Sequence, residues 1–340
     1  MIPYEWFEQA QARIAPHIRQ TPLTYDSQRG LYLKWENHQV TGSFKPRGAL
    51  NKVLSLEDWE RKAGLVAASA GNHGQGVALA GRLTGAPVEV FVSSHAVPAK
   101  VQAMKDLGAK IYIVEGGYTE AESAGRKYAI EHHRTFISPY NDGQVIAGQG
   151  TIGLEILDAL TSNPSPSPLT PLPVGEGQRG EGVMGIANWL VPSGGGGLVS
   201  AFGALLAKTH PRPKLIGVQA AASPFTHSLF HRHTQQGIED LPTLADGLSG
   251  AVEEGSITIP MMEQYVDDFL LVSEDEIARA MAFAWYVYHE KIEGSGAVGL
   301  AAVLSGKMAE RPSVIVISGG NVQPEVHAEI IARYAGETWN

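Results

Sequence analysis

Apolar and polar positions alternate from Leu31 onward: Leu31, Leu33 and Trp35 oppose Tyr32, Lys34 and Glu36, a pattern that predicts a half-buried strand. From Leu65 the period switches repeatedly. The runs LVAAS, VEVFVS, KIYIVE and TFIS read as strands, and GQGVALAGRL, PAKVQAMKDLG and YTEAESAGRKYAIEHH between them read as helices. A second series runs through IANWLVP, a glycine run, helix LVSAFGALLA, strand KLIGVQA, a helix within SEDEIARAMAFAWYVYHE, strand SVIVIS and a terminal helix. Ser273 and Glu276 have the spacing of a capping box for the long helix. Strand and helix in regular alternation predict parallel sheets covered by helices, in two α/β units with ligands at the strand C-terminal ends between them. Residues 161–182, TSNPSPSPLTPLPVGEGQRGEG, carry neither period and predict a disordered surface insertion. The chain shows no internal repeat.

Composition narrows the partners. With 340 residues, 44% hydrophobic and 18% charged, the chain has material for two cores and the balance of a globular protein. A formal net charge of −9 without any Lys/Arg run argues against a nucleic-acid partner and for small-molecule chemistry. Zero cysteines exclude disulfides, thiolate metal sites and a cysteine nucleophile. The N-terminal MIPYEWFEQAQARIAPHI is acidic and amphipathic, and no stretch reaches the ~18 apolar residues of a membrane span. The expectation is a cytoplasmic protein with no membrane partner.

The chemistry concentrates in strand-to-helix turns. In TGSFKPRGALN, Lys45 lies between Phe44 and Pro46, just past the strand that begins at Leu31, an unusual setting for a lysine kept for solubility. In VPSGGGGLVSAFGALL, Gly194, Gly195, Gly196 and Gly197 precede an amphipathic helix. Four glycines let backbone N–H groups approach an anion at a helix N-terminus, which suits a phosphate monoester. The run fits neither G-x-G-x-x-G nor a P-loop. SAGNHGQG, from Ser69 to Gly76, forms a second such turn, suited to a carboxylate, with Asn72 able to bond a phenolic or carbonyl oxygen. His73 alone reads more simply as a satisfied loop residue. Ser318 ends the strand of VISGGN, where Gly319 and Gly320 leave room beside it. An amine, a phosphate cup, an oxygen partner and a hydroxyl for a ring nitrogen are the parts that pyridoxal phosphate requires.

TGSFKPRGA, SAGNHGQG, IAGQGTIGLEI, VPSGGGGL, LADGLSG, EGSGAVGLAA and VISGGN, in this order, resemble the serine/threonine dehydratase (threonine ammonia-lyase) branch of the fold type II pyridoxal-phosphate enzymes. The resemblance spans nearly the whole chain outside residues 161–182. It implies a tryptophan synthase beta-like fold of two doubly wound α/β domains with pyridoxal 5'-phosphate in the cleft between them. A large cofactor domain would comprise residues 1–50 and 143–340, and a small carboxylate-binding domain residues 51–142. It further implies that Lys45 forms the Schiff base and acts as catalytic base, that Phe44 packs near the ring and that Asn72 contacts its 3-hydroxyl. Gly194 to Gly197 would hold the phosphate and Ser318 the pyridine nitrogen, while Ser69, Gly71, Asn72 and His73 cradle the substrate carboxylate. Glu293 and the Asp246-Gly247 turn would lie near the site, without assigned roles. A homodimer or larger homo-oligomer is expected.

The implied reaction is loss of water from L-threonine, L-serine or a related β-hydroxy amino acid, giving a 2-oxo acid and ammonia. Free lysine titrates at about 10.4, so burial must favour the neutral amine if Lys45 is to act near neutral pH. Racemases resembling this sequence carry a serine where Ala70 stands, as an acid/base opposite the lysine, so little racemisation is expected. Members that bind a divalent cation offer carboxylates where Gln219 and Phe225 stand, so no tight metal site is expected. His227, His231 and His233 lie beside Arg232 without an evident carboxylate partner and read as a solvated helix face. Because the chain ends at Asn340, the added regulatory domain of biosynthetic threonine dehydratases, and with it isoleucine feedback, is not expected. The alternatives are a β-replacement enzyme, which typically reads Asn-Thr-Gly where Asn72-His73-Gly74 stands, or a racemase of the same fold.

Overall fold

The computed structural model describes residues 2–162 and 185–339. In chain order the elements are α1 (Tyr4–Ile14), β1 (Leu23–Asp26), β2 (Leu31–Trp35), α2 (Lys45–Ser55), α3 (Asp58–Ala63), β3 (Leu65–Ala68), α4 (Asn72–Thr84), β4 (Val88–Ser93), α5 (Pro98–Asp106), β5 (Lys110–Val114), α6 (Tyr118–Glu131), β6 (Thr135–Phe136), α7 (Gly143–Ser162), β7 (Asn188–Pro192), α8 (Gly197–Leu206), β8 (Lys214–Ala220), α9 (Phe225–Arg232), α10 (Thr258–Tyr265), β9 (Asp268–Val272), α11 (Glu274–Phe283), α12 (Gly294–Leu304), β10 (Ser313–Ile317) and α13 (Pro324–Arg333). They gather into two compact units, one of Gln20–Ser43 with Ile152–Asn340, the other of Ile2–Arg19 with Phe44–Thr151.

The unit containing Phe44–Thr151 is built on a four-stranded sheet in the order β5-β4-β3-β6, every pair parallel. The side-chain period of two sends Leu65 and Ala67 of β3 into one apolar cluster with Leu50, Val77 and Val90. Val66 and Ala68 go to the opposite face, with Phe91 and Ala129. A parallel sheet covered on both faces explains why β3 is buried at all four positions.

The other unit holds a six-stranded sheet in the order β1-β2-β10-β7-β8-β9, in which only the β1–β2 pair is antiparallel. Here the half-buried reading of β2 is corrected: all five of its residues are buried, Lys34 to 1% exposure. The strand lies between β1 and β10, and the Lys34 Nζ donates to the Glu155 carboxylate at 2.6 Å and to the Thr21 carbonyl at 2.7 Å. Its polar face is satisfied inside the protein rather than by water.

The capping box at Ser273 is present, with the Glu276 N–H donating to Ser273 Oγ at 3.3 Å and the Ser273 N–H to Glu276 Oε2 at 2.7 Å. The helix it opens gives way to one π-helical turn, Ala284–Tyr288. Thr161 and Ser162, the first residues of the expected insertion, instead finish α7, their hydroxyls bonding carbonyls one turn back. Residues 163–182 of that expectation lie outside the described residues. Among the described residues no helix is long and apolar enough to cross a membrane.

Candidate functional site

Lys45 opens helix α2 with Phe44 as its N-cap. It does not directly follow β2, because a short 3₁₀ turn, Glu36–His38, and a loop intervene. Pro46 sits in the first helical turn, where its missing N–H costs nothing and its fixed φ suits the helix. The segment around Lys45 is therefore a helix start, anchored through buried Arg47, Ala49, Leu50 and Val53. Helix α4 packs tightly here: a Cβ at Gly76 would lie 3.1 Å from the Lys45 carbonyl carbon. The half-buried Lys45 Nζ donates to the Pro139 carbonyl at 3.3 Å and lies 5.0 Å from the Phe44 ring centroid.

The same unit carries the turn between β3 and α4. The Gly71 N–H donates to Ser69 Oγ at 3.1 Å, and α4 begins at Asn72, so the helix's first N–H groups open on this turn. His73 is buried, with Nε2 bonded to the Ile137 carbonyl at 2.8 Å and Nδ1 without a partner among the described residues. Burial, and then the Lys45 ammonium, push its pKa down to about 3, against the opposing effect of the Ile137 bond. A carbonyl partner puts the proton on Nε2, so Nδ1 offers a lone pair. A carboxylate at this turn would meet the first backbone N–H groups of α4; the neutral ring has no donor left for it.

In the other unit, β7 leads through Ser193 into the glycine loop, and α8 starts at Gly197. The Gly194 carbonyl accepts from the Thr226 hydroxyl, the Gly195 carbonyl from Thr258 Oγ1 at 2.8 Å and the Gly196 carbonyl from the Ser200 N–H at 2.9 Å. None of the four loop N–H groups finds a carbonyl among the described residues. Gly196 is left-handed, with φ +83, and a Cβ there would strike Met262 Sδ at 2.6 Å. Ser193 Oγ is buried without a partner among the described residues. Free donors with the carbonyls turned away suit a phosphate, so the residues present fit the phosphate end of the expected cofactor.

Ser318 follows β10, and its hydroxyl donates to the Ser295 carbonyl at 3.4 Å. Ser295 Oγ accepts from the Gly247 N–H at 3.0 Å, which links the Asp246-Gly247 turn to the strand end. Glu293 is buried; its carboxylate accepts from the Asn321 N–H at 3.1 Å and its own N–H donates to the Gly319 carbonyl. Each unit thus assembles its own group: Phe44, Lys45, Ser69, Gly71, Asn72 and His73 in one, the glycine loop and Ser318 in the other. Thr226, Thr258 and Ser295 are absent from the sequence reading. Ser295 at least stands in a recognisable motif, EGSGAVGLAA, whereas the two threonines carry no local signal.

The histidines of α9 and its C-cap, His233, need a correction. His231 Nε2 lies 3.3 Å from Asp268 Oδ1 and His233 Nδ1 3.7 Å from Glu263 Oε1, so carboxylate partners exist, supplied by β9 and α10. Among the described residues no group of three His, Cys, Asp or Glu is placed to hold a metal ion. The Gln219 amide accepts from the His227 N–H at 3.1 Å and donates toward Thr226 Oγ1 at 3.4 Å and the Leu248 carbonyl at 3.5 Å, and Phe225 begins α9 with its side chain buried.

Residues 14–319 match the family described as pyridoxal-phosphate dependent enzyme. The chain is 37% identical to an L-threonine ammonia-lyase of Thermotoga maritima, over 97% of this chain and 78% of that protein. It is 38% identical to the L-threonine dehydratase catabolic TdcB of Staphylococcus aureus, over 93% of this chain and 88% of that protein. Among solved structures it is similar to the serine racemase of Dictyostelium discoideum, with a TM-score of 0.78 and 32% identity, covering 94% of this chain and 98% of that one. The fold is the fold type II architecture, and with a match running from Ile14 to Gly319 the chain belongs to the pyridoxal-phosphate dependent enzyme family.

Proposed function

We propose that the protein is a pyridoxal-phosphate dependent ammonia-lyase that removes water from L-threonine, L-serine or a related β-hydroxy amino acid, yielding a 2-oxo acid and ammonia. The observation that carries this reading is the likeness to an L-threonine ammonia-lyase along 97% of the chain, in a protein whose Lys45 heads a buried helix beside Phe44. Bound pyridoxal phosphate supplies the electron sink that makes the substrate's α-proton removable.

The chain's own groups then divide the work. Lys45 would anchor the cofactor, and its amine would serve as the general base that takes the substrate's α-proton. Gly194 to Gly197 would hold the phosphate, Phe44 would flank the ring, and Asn72 and Ser318 would bond the ring oxygen and the ring nitrogen. A serine hydroxyl, unlike a carboxylate, does not keep that nitrogen protonated, which favours elimination over transamination. The substrate carboxylate sits on the turn from Ser69 to His73, held by Ser69, Asn72 and the backbone N–H group of His73, with Gly71 shaping the turn. The working form is a cytoplasmic homodimer or larger homo-oligomer, measurable by sedimentation.

Racemisation is the second reading, favoured by the serine racemase likeness. Against it stands Ala70, whose methyl group carries no proton to the face opposite Lys45. The deciding experiment follows L-serine and measures pyruvate and D-serine together. Pyruvate in large excess supports the lyase; D-serine formed at a comparable rate contradicts it.

A further inference from the structure

The glycine loop is held from behind by polar side chains that the proposed reaction never touches. Thr226, Thr258 and Gln219 are 0% exposed and Ser256 is 1% exposed. Hydroxyls and amides buried this deeply are costly unless bonded, and each of these is bonded. Thr226 donates to the Gly194 carbonyl and Thr258 to the Gly195 carbonyl. Behind them, Gln219 Nε2 reaches Thr226 Oγ1 at 3.4 Å, and Ser256 Oγ meets Thr258 Oγ1 at 2.8 Å.

The consequence follows from peptide planarity. In a trans peptide the C=O and the next residue's N–H point in opposite directions. Drawing the Gly194 carbonyl toward Thr226 therefore turns the Gly195 N–H the other way, and drawing the Gly195 carbonyl toward Thr258 does the same to the Gly196 N–H. Four glycines have no Cβ to restrict them, so an unheld loop would sample planes that present carbonyl oxygens to an anion. The loop's donors must be fixed from outside.

Building on the pyridoxal-phosphate reading, we infer that Thr226 and Thr258, braced by Gln219 and Ser256, are positioning residues that orient two peptide planes so that the Gly195 and Gly196 N–H groups face the cofactor phosphate. Selectivity for a phosphorylated cofactor then rests on two hydroxyls that do not contact it.

The test uses isosteric pairs. Thr226→Val and Thr258→Val remove only the hydroxyl, and Thr226→Ser and Thr258→Ser restore it. Each apoprotein is titrated with pyridoxal phosphate and with pyridoxal, which lacks the phosphate, and the ³¹P spectrum of the bound cofactor is recorded. Each valine variant should bind pyridoxal phosphate roughly tenfold more weakly, in keeping with one lost hydrogen bond, with its ³¹P resonance moved toward that of free cofactor. Pyridoxal binding should not change, and the serine variants should match the parent. Valine variants within about twofold of the parent would overturn the inference, as would an equal loss for pyridoxal, which would mark a merely structural role. If Thr226→Val fails to fold, Thr258→Val decides alone. A parent protein that takes up no pyridoxal phosphate would overturn the underlying reading instead.

Discussion

His73 illustrates how one residue's surroundings set its chemistry. It is neutral in the folded protein because burial, and then the Lys45 ammonium, press its pKa to about 3, whereas in the unfolded chain it titrates near 6.5. The unfolded chain therefore binds the extra proton first as pH falls. The stabilisation is complete above pH ~6.5 and is lost on the way down toward pH 3. His73→Gln can keep a donor toward the Ile137 carbonyl while removing the titration. Urea midpoints at pH 7.5 and 4.5 should separate less in this variant than in the parent; an unchanged separation would remove His73 from the acid response. The candidacy of Lys45 was legible because a ring and a proline flank it within one turn. Thr226 and Thr258 were not, because their partners lie 32 and 63 residues away and nothing local distinguishes a threonine that holds a carbonyl.

At the scale of elements, the alternating segments resolved best. VEVFVS and KLIGVQA coincide with β4 and β8 residue for residue. Helix α2 is hidden by its own start, Phe-Lys-Pro-Arg-Gly, in which Gly48 permits a close helix contact: a Cβ there would meet the Val145 carbonyl at 2.8 Å. Strands β1 and β9 are short and lack a distinctive period. Strand β2 is legible in the alternation but its full burial is not, because the partner of Lys34 lies 121 residues away in α7. That pair makes a stability prediction. Lys34→Met removes the charge partner of a buried carboxylate and should destabilise the protein by ~3–5 kcal/mol in urea unfolding. The double variant Lys34→Met/Glu155→Leu should recover most of the loss; no recovery would show that the ion pair is not the cause.

For the whole molecule, the alternation of strand and helix was sufficient to predict parallel sheets, and the ordered motifs to identify the family that the match over residues 14–319 shows. The sheet order β1-β2-β10-β7-β8-β9 was not legible, since it brings residues near the start of the chain beside residues near its end. Substrate choice also belongs to this scale, because it depends on side chains gathered from many segments. Activity toward L-threonine and L-serine should appear together, at different rates, and competition between the two for a single site would show as mutual inhibition; independent, additive rates would argue for separate sites.

On the reading proposed above, Lys45 carries pyridoxal phosphate for an elimination. The most direct measurement records the visible absorption of the purified protein with pyridoxal phosphate, then adds L-threonine and quantifies 2-oxobutanoate and ammonia, for the parent and for Lys45→Ala. The parent should show a lysine-bound chromophore and release both products in equal amounts, and Lys45→Ala should show neither. Absence of the chromophore in the parent, or equal product release by Lys45→Ala, would overturn the assignment of Lys45 as the cofactor-bearing base of a lyase.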